Sequence, residues 1–196
     1  PANGKPIIVP SQDIVLGLYY MTRERAFAHG EVNEPTEDEY FVGFYGSPKE
    51  VRMAYDHGAL HLQAKIKVRI EPSVGQAPEI VETTVGRVLL REVVPEAIPF
   101  SYINRVMNKK HVGELIDVCF RLAGNKETVI LADKIKETGF RFSTIAGISI
   151  CLDNMVIPES KEAFISASVE EVREIQEQYT EGLITDGERY NKVIDI

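Results

Sequence analysis

From Leu60 to Ile70 apolar and polar residues alternate without a break. Leu60, Leu62, Ala64, Ile66, Val68 and Ile70 fall on one side of an extended chain, and His61, Gln63, Lys65, Lys67 and Arg69 on the other. Period two predicts a strand with one buried and one wet face. Residues 71–79 hold Pro72, Gly75 and Pro78 and predict a hairpin loop. Ile80 to Leu90 predicts the returning strand, with Gly86 as a bulge or a point of close approach. A lone hairpin is marginal in water, so this one needs helices or another chain against its apolar face.

Elsewhere the period is helical. Ser11 is the expected N-cap of a helix carrying Ile14, Val15, Leu18, Tyr19 and Met21, with Asp13 at its positive end. Ile7 to Val9 predicts a short buried strand closed by Pro10, and the acidic stretch 29–39 an exposed loop. Ser47-Pro48 opens a short helix to Asp56, with Gly58 as its stop. Ser101 is expected to cap a short helix with Tyr102, Ile103 and Val106. A second helix starts near His111, turns Val112, Leu115, Ile116, Cys119 and Leu122 inward, and ends at Gly124. A third runs from Glu127 to about Thr138, before Gly139, and a short β-like run follows at Ile148 to Leu152.

Met155 to Pro158 predicts a joint, after which the chain becomes acidic and helical. Ser168 to Glu171 has the form of a capping box, followed by a stripe of Val169, Val172, Ile175 and Tyr179 that Gly182 closes. Thr185 to Glu188 is a second box. Its helix has barely begun at Ile196, which leads us to expect a chain that continues. The predicted class is α+β: an antiparallel hairpin packed with several short helices, then a mainly helical C-terminal part. The predicted boundary separates residues 1–157 from 158–196.

Composition narrows the function. With 196 residues, 44% of them hydrophobic, there is room for one core, or for one domain and part of a second. A net charge of −8 argues against a free-standing module that grips duplex DNA. No apolar run reaches the length of a membrane span, and the first residues lack a secretory pattern. Cys119 and Cys151 are too few for a disulfide framework and sit among apolar neighbours, so both are expected as small core residues in a reducing setting.

Candidate chemistry is sparse. His57 and His61 stand four apart, as helical metal ligands would, but Gly58 interrupts them and no third ligand is implied. Ser143-Thr144 and Ser166 to Ser168 lack the glycine setting of a nucleophile elbow. Glu170, Glu171, Glu174 and Glu177 read as a solvated helix face. Glycine-rich phosphate loops are absent from the sequence. The sharpest basic cluster is Asn108-Lys109-Lys110-His111, either a loop with exposed lysines or a surface that attracts nucleotide phosphates.

Several ordered segments go further. PANGKPIIVPSQDIVLGLYYMTRER, TTVGRVLL, VPEAIPFSYIN, TGFRFS, DNMVIP, EIQEQY and GLITDGERYNKVIDI together resemble the β′ subunit of bacterial DNA-directed RNA polymerase, just downstream of its catalytic magnesium loop. Residues 26–58 and 71–80 carry the resemblance weakly. It implies that residues 1–157 form the pore domain and that 158–196 begin the funnel and rim helices. Together they would wall the secondary channel that admits nucleoside triphosphates, and the protein would be cytoplasmic and nucleoid-associated. Catalysis would be two-magnesium nucleotidyl transfer. The ligating aspartates would lie upstream of Pro1, so this chain would hold no cofactor and be inert alone. Mg2+ and a structural Zn2+ would belong to the whole subunit.

The same resemblance suggests roles for individual residues. Gln12 and Asp13 match the segment nearest the catalytic loop, and Asn108, Lys109 and Lys110 a loop beside the nucleotide route. Glu188, Arg189 and Asn191 match rim-helix positions that touch secondary-channel factors and a guanosine tetraphosphate alarmone. Lys126, Ile130 and Asp133 match part of a second alarmone site that the ω subunit completes. The pattern departs at Glu137, where the family has a tyrosine; a carboxylate would repel the tetraphosphate and cannot stack on guanine. Implied partners are the β, α, ω and σ subunits, DNA and RNA through the assembly, and secondary-channel transcription factors, with no membrane. Two other readings remain. One is an interaction module for ω and channel factors; the other is an unrelated free-standing α/β enzyme.

Overall fold

The computed structural model describes residues 9–31 and 43–196. The expected strand at Ile7 to Val9 lies largely outside them, as does most of the expected acidic loop. Two compact units divide the chain, the first ending at Ile148 and the second spanning Ser149–Ile196.

In the first unit, helix α1 (Asp13–Thr22) precedes strand β1 (Phe44–Tyr45) and helix α2 (Pro48–Asp56). Strands β2 (Lys65–Ile70) and β3 (Glu79–Thr84) follow, then α3 (Val85–Arg91) and the long helix α4 (Lys109–Ala146). The sheet order is β1-β2-β3, with β1 parallel and β3 antiparallel to β2. Lys67 stands opposite Glu82, and Val68 opposite Val81. The predicted hairpin is therefore present, but β2 starts at Lys65. The chain from 61 to 64 turns, and Ala64 N–H donates to His61 O at 3.0 Å. His61 does not open a strand.

The buried face of β2 carries Ile66, Val68 and Ile70, which meet Leu18 and Met21 of α1 and Val85, Val88, Leu89 and Leu90 of α3 in one core. Ile98, Phe100, Ile103 and Met107 extend it, as do Val112, Leu115, Ile116 and Cys119 of α4. Each such side chain contributes about 1.5–3 kcal/mol by leaving water. Thr22 is buried as well and ties the core together. Its Oγ1 accepts from Met107 N–H at 2.8 Å and donates to Leu18 O at 2.7 Å, while its own carbonyl accepts from Arg87 Nε at 3.0 Å.

Several boundaries differ from the sequence reading. Ser11 does not cap α1; Gln12 does, at φ 52°, with no side-chain cap bond. The returning strand stops at Thr84, whose Oγ1 accepts from Arg87 N–H and starts α3. Gly86 is a point of close approach but not a bulge, because a Cβ there would overlap the carbonyl of Met21. Ser101 caps nothing; Phe100–Tyr102 is a single 3-10 turn after Pro99.

Helix α4 starts two residues before His111, at Lys109, and breaks at Gly124 (φ 81°, ψ 179°), the predicted stop. Leu122, next to that break, is exposed rather than inward. The following segment does not stop at Gly139. It runs to Ala146, with Gly147 in the left-handed cap, because Gly139 is where α4 crosses α1. No strand forms at 148–152. Cys119 is buried, which pushes its thiol up from the usual range, whereas Cys151 is exposed and not a core residue.

The second unit holds α5 (Lys161–Thr180) and α6 (Asp186–Asp195). Helix α5 starts well before Ser168, which sits inside it and caps nothing. The box at Thr185 and Glu188 is present as predicted. No residue from 149 to 196 is buried, so this unit has no core of its own. Phe164, Ile165 and Val169 keep large exposed apolar surfaces.

Candidate functional site

The residues singled out in the sequence fall at four places. At the head of α1, Gln12 adopts φ 52° and ψ −125° and extends an exposed side chain. Side-chain residues avoid this backbone region at a cost of about 1–3 kcal/mol. Asp13 is exposed in the first turn beside it.

The second place is the head of α4. Asn108 Oδ1 accepts from His111 N–H at 2.9 Å and caps the helix, and His111 Nδ1–H donates to Val106 O at 2.7 Å. Lys109 and Lys110 are exposed in the first turn. Both lysines belong to the first helical turn rather than to a loop. Cations at a helix N-terminus oppose its dipole, so neither lysine stabilises α4. Val9, in the approach to α1, lies 4.0 Å from where a Cβ on Gly113 would stand, which brings the run before Gln12 alongside the first turns of α4.

The third place is the exposed face of α4 beyond Gly124. Lys126, Ile130, Asp133 and Glu137 recur there at helical spacing and all are exposed. Lys136 Nζ pairs with Asp133 at 3.1 Å.

The fourth is the start of α6, in the second unit. Glu188 Oε2 accepts from Thr185 N–H at 2.8 Å and from Thr185 Oγ1–H at 2.9 Å. Those bonds hold the carboxyl below its usual pKa range, the backbone bond contributing most. Arg189 pairs with Asp186 at 2.7 Å and lies 5.3 Å from the Tyr179 ring. Asn191 is exposed on the next turn.

Among the described residues the reactive groupings are not assembled. His57 Nδ1–H donates to Met53 O at 2.8 Å, and His61 Nδ1 accepts from Gln63 N–H at 3.1 Å, so each imidazole serves its own loop. Among the described residues, no group of three His, Cys, Asp or Glu is placed to hold a metal ion. Ser143 and Thr144 lie within α4 and Ser166 within α5. No helix among the described residues is long and apolar enough to cross a membrane.

One group had passed in the sequence only as the wet side of a strand. Lys65, Lys67 and Arg69 stand in a row on the outer face of β2, with Phe44 of β1 beside Lys67. The alternation itself was the available signal; what it lacked was the neighbouring strand that supplies the aromatic ring.

What these sites have in common is surface: charged and polar groups displayed on a small sheet and on helix ends, with no assembled reactive centre among the described residues. Residues 1–155 match the family model of RNA polymerase Rpb1, domain 3. The chain belongs to that family and is thereby a part of the largest subunit of a DNA-directed RNA polymerase, a nucleotidyltransferase that works with other polymerase subunits and nucleic acids.

Proposed function

We propose that the chain is part of a bacterial β′ subunit and lines the secondary channel through which nucleoside triphosphates reach a two-magnesium active site. The pore domain extends to about residue 157, and the funnel begins at 158. Gln12, Asp13, Asn108, Lys109 and Lys110 border the nucleotide route. The catalytic aspartates, and the magnesium and zinc they and other residues hold, belong to other parts of the subunit, so the isolated chain does not polymerise nucleotides. The enzyme works in the bacterial cytoplasm, at the nucleoid, assembled with β, α, ω and σ.

The observation that carries this reading is the pair of exposed lysines at the head of α4. They add positive potential to a helix end that is already positive, which draws in phosphates rather than stabilising the helix. In the intact enzyme, Lys109→Ala with Lys110→Ala raises the apparent nucleotide KM, and more so at low salt than at high salt. An unchanged KM, or an increase independent of salt, removes the role.

A second reading, docking of ω and of channel factors or an alarmone, is favoured by the start of α6. There Arg189 is held between Asp186 and the Tyr179 ring, and Asn191 is left exposed. Glu188, Arg189 and Asn191 form that contact. The face of Lys126, Ile130 and Asp133 includes the Glu137 carboxylate, which disfavours a polyphosphate there. Asn191→Ala weakens the response to a channel factor while basal elongation persists; an unaltered response eliminates the contact.

A further inference from the structure

We propose that Arg87 is a positioning residue for the nucleotide route: its guanidinium ties α1 to the segment that leads into α4, and so sets where Lys109 and Lys110 stand. The inference rests on the channel reading above and adds to that route a residue that does not itself meet the nucleotide. In the run from Thr83 to Leu90, Arg87 is the one charged residue, and it lies in α3 between Gly86 and Val88, both buried. A cation in such surroundings gives up hydration and has to regain it as hydrogen bonds. Arg87 does so with two uncharged oxygens from distant parts of the chain. Its Nε–H donates to Thr22 O, at the end of α1, at 3.0 Å, and its Nη1–H donates to Asn104 Oδ1 at 3.3 Å.

Asn104 is held in turn from the sheet. Its Oδ1 also accepts from Thr83 Oγ1–H at 2.8 Å, and its Nδ2–H donates to Glu82 O at 3.0 Å. Met107 N–H then donates to Thr22 Oγ1 at 2.8 Å. Thr22, Arg87, Asn104 and Met107 therefore close a ring through α1, α3 and the segment 104–107, and Asn108, the cap of α4, follows directly. Burial of Ile103 and Met107 holds the same segment. The hydrophobic effect is non-directional, however, so burial sets the depth of the segment and not the direction in which the head of α4 faces. The guanidinium supplies that direction, because its N–H groups form a rigid planar fork that an ammonium lacks. The ring thereby relates two parts of the proposed route, Gln12 at the far end of α1 and the lysines of α4.

The test measures RNA extension by the intact polymerase over a range of nucleotide and salt concentrations. Arg87→Lys keeps the charge and removes the fork; Asn104→Ala opens the ring from its other side and leaves Arg87 in place. Each variant raises the apparent nucleotide KM about threefold at low salt and less at high salt, since displaced charges still steer but steer less well. The change falls on KM more than on kcat, whereas a merely structural defect lowers the amount of active enzyme and leaves KM alone. In a Lys109→Ala, Lys110→Ala background neither substitution raises KM further, because residues acting through one another are not additive. An increase that persists without the lysines, an effect confined to kcat, or an unchanged KM in both ring variants would overturn the proposal. Should Arg87→Lys fail to assemble, Asn104→Ala decides by the same criteria. The two readings fail differently: a wild-type KM in the lysine pair removes the channel role and this inference with it, while a raised KM there with silent ring variants removes the positioning role alone.

Discussion

Gly17 of α1 faces Gly139 of α4 so closely that a Cβ on Gly17 would overlap the Gly139 carbonyl oxygen. The approach is reciprocal, since a Cβ on Gly139 would stand 2.6 Å from Ile14 O. Backbone meets backbone here, and no rotamer change can relieve the added methyl. Gly17→Ala is therefore expected to destabilise the first unit by at least about 1–3 kcal/mol, the usual range for overpacking. Gly113→Ala, where a Cβ would meet only Val9 Cγ1 at 4.0 Å, is expected to be neutral or slightly stabilising through helix propensity. Urea denaturation of the two variants compares them directly. Equal stabilities would mean that the helices can separate at no cost.

This crossing also accounts for which elements were legible in the sequence. Helix α2 was readable to the residue, because Ser47, Pro48 and Glu50 act within one turn: Ser47 Oγ accepts from Glu50 N–H. The box at Thr185 and Glu188 was readable for the same reason. Gly139 looked like a stop because its role is set by α1, more than a hundred residues away in sequence. Thr84-Val85 looked like more strand because β-branched residues favour strands; Gly86 against the Met21 carbonyl is what lets the chain coil there into α3. Ser168 looked like a cap because a box pattern cannot reveal that a helix is already under way from Lys161. At the candidate site, the sequence isolated Lys109 and Lys110 but not their place in a helical first turn. It displayed Lys65, Lys67 and Arg69 plainly, but not the ring of Phe44 next to them.

Thr22 should be the most sensitive polar residue of the core. Its Oγ1 is the hydrogen-bond acceptor of the Met107 amide, which joins α1 to the segment leading into α4. Thr22→Val keeps the volume and leaves a buried N–H without that partner, at a cost of about 1–3 kcal/mol. Thr22→Ser retains the bond and should lose clearly less. Thermal melts of the two variants decide the point. Equal losses would assign the effect to the missing methyl or to packing rather than to the hydrogen bond.

His61 gives the fold a defined weakness to acid. Burial, then the nearby Arg25 charge and then His29, lower its pKa below the ordinary imidazole value. Its Nδ1 also accepts from Gln63 N–H, a role that requires the neutral ring. The folded state thus binds the proton less well than the unfolded state. Its contribution is complete above the unfolded value of about 6.5 and declines as pH falls below that value, down to the lower folded pKa. His61→Gln is expected to flatten the stability profile between pH 7 and 5. Urea titrations at each pH measure this, and parallel profiles for variant and wild type would exclude His61 as the source.

At the start of α6, one carboxylate serves both structure and any contact made there. Glu188 accepts the Thr185 amide and hydroxyl while Thr185 Oγ1 accepts from Glu188 N–H at 3.3 Å. Its lowered pKa means that the ionised form supports the helix above the unfolded carboxyl value. That support is lost as pH falls through the lower folded value. Glu188→Gln keeps an acceptor oxygen and should remove the acid-dependent step from amide exchange in the first turn of α6. Glu188→Ala should fray that turn at every pH. The same pair separates structure from recognition. If channel factors read the helix start, Glu188→Ala weakens their effect on the intact enzyme in step with faster exchange, and Glu188→Gln largely restores both. Asn191→Ala, exposed and beyond the cap, weakens the effect with exchange unchanged. A factor response lost in Glu188→Gln while first-turn exchange stays slow would instead assign the contact to the Glu188 charge itself.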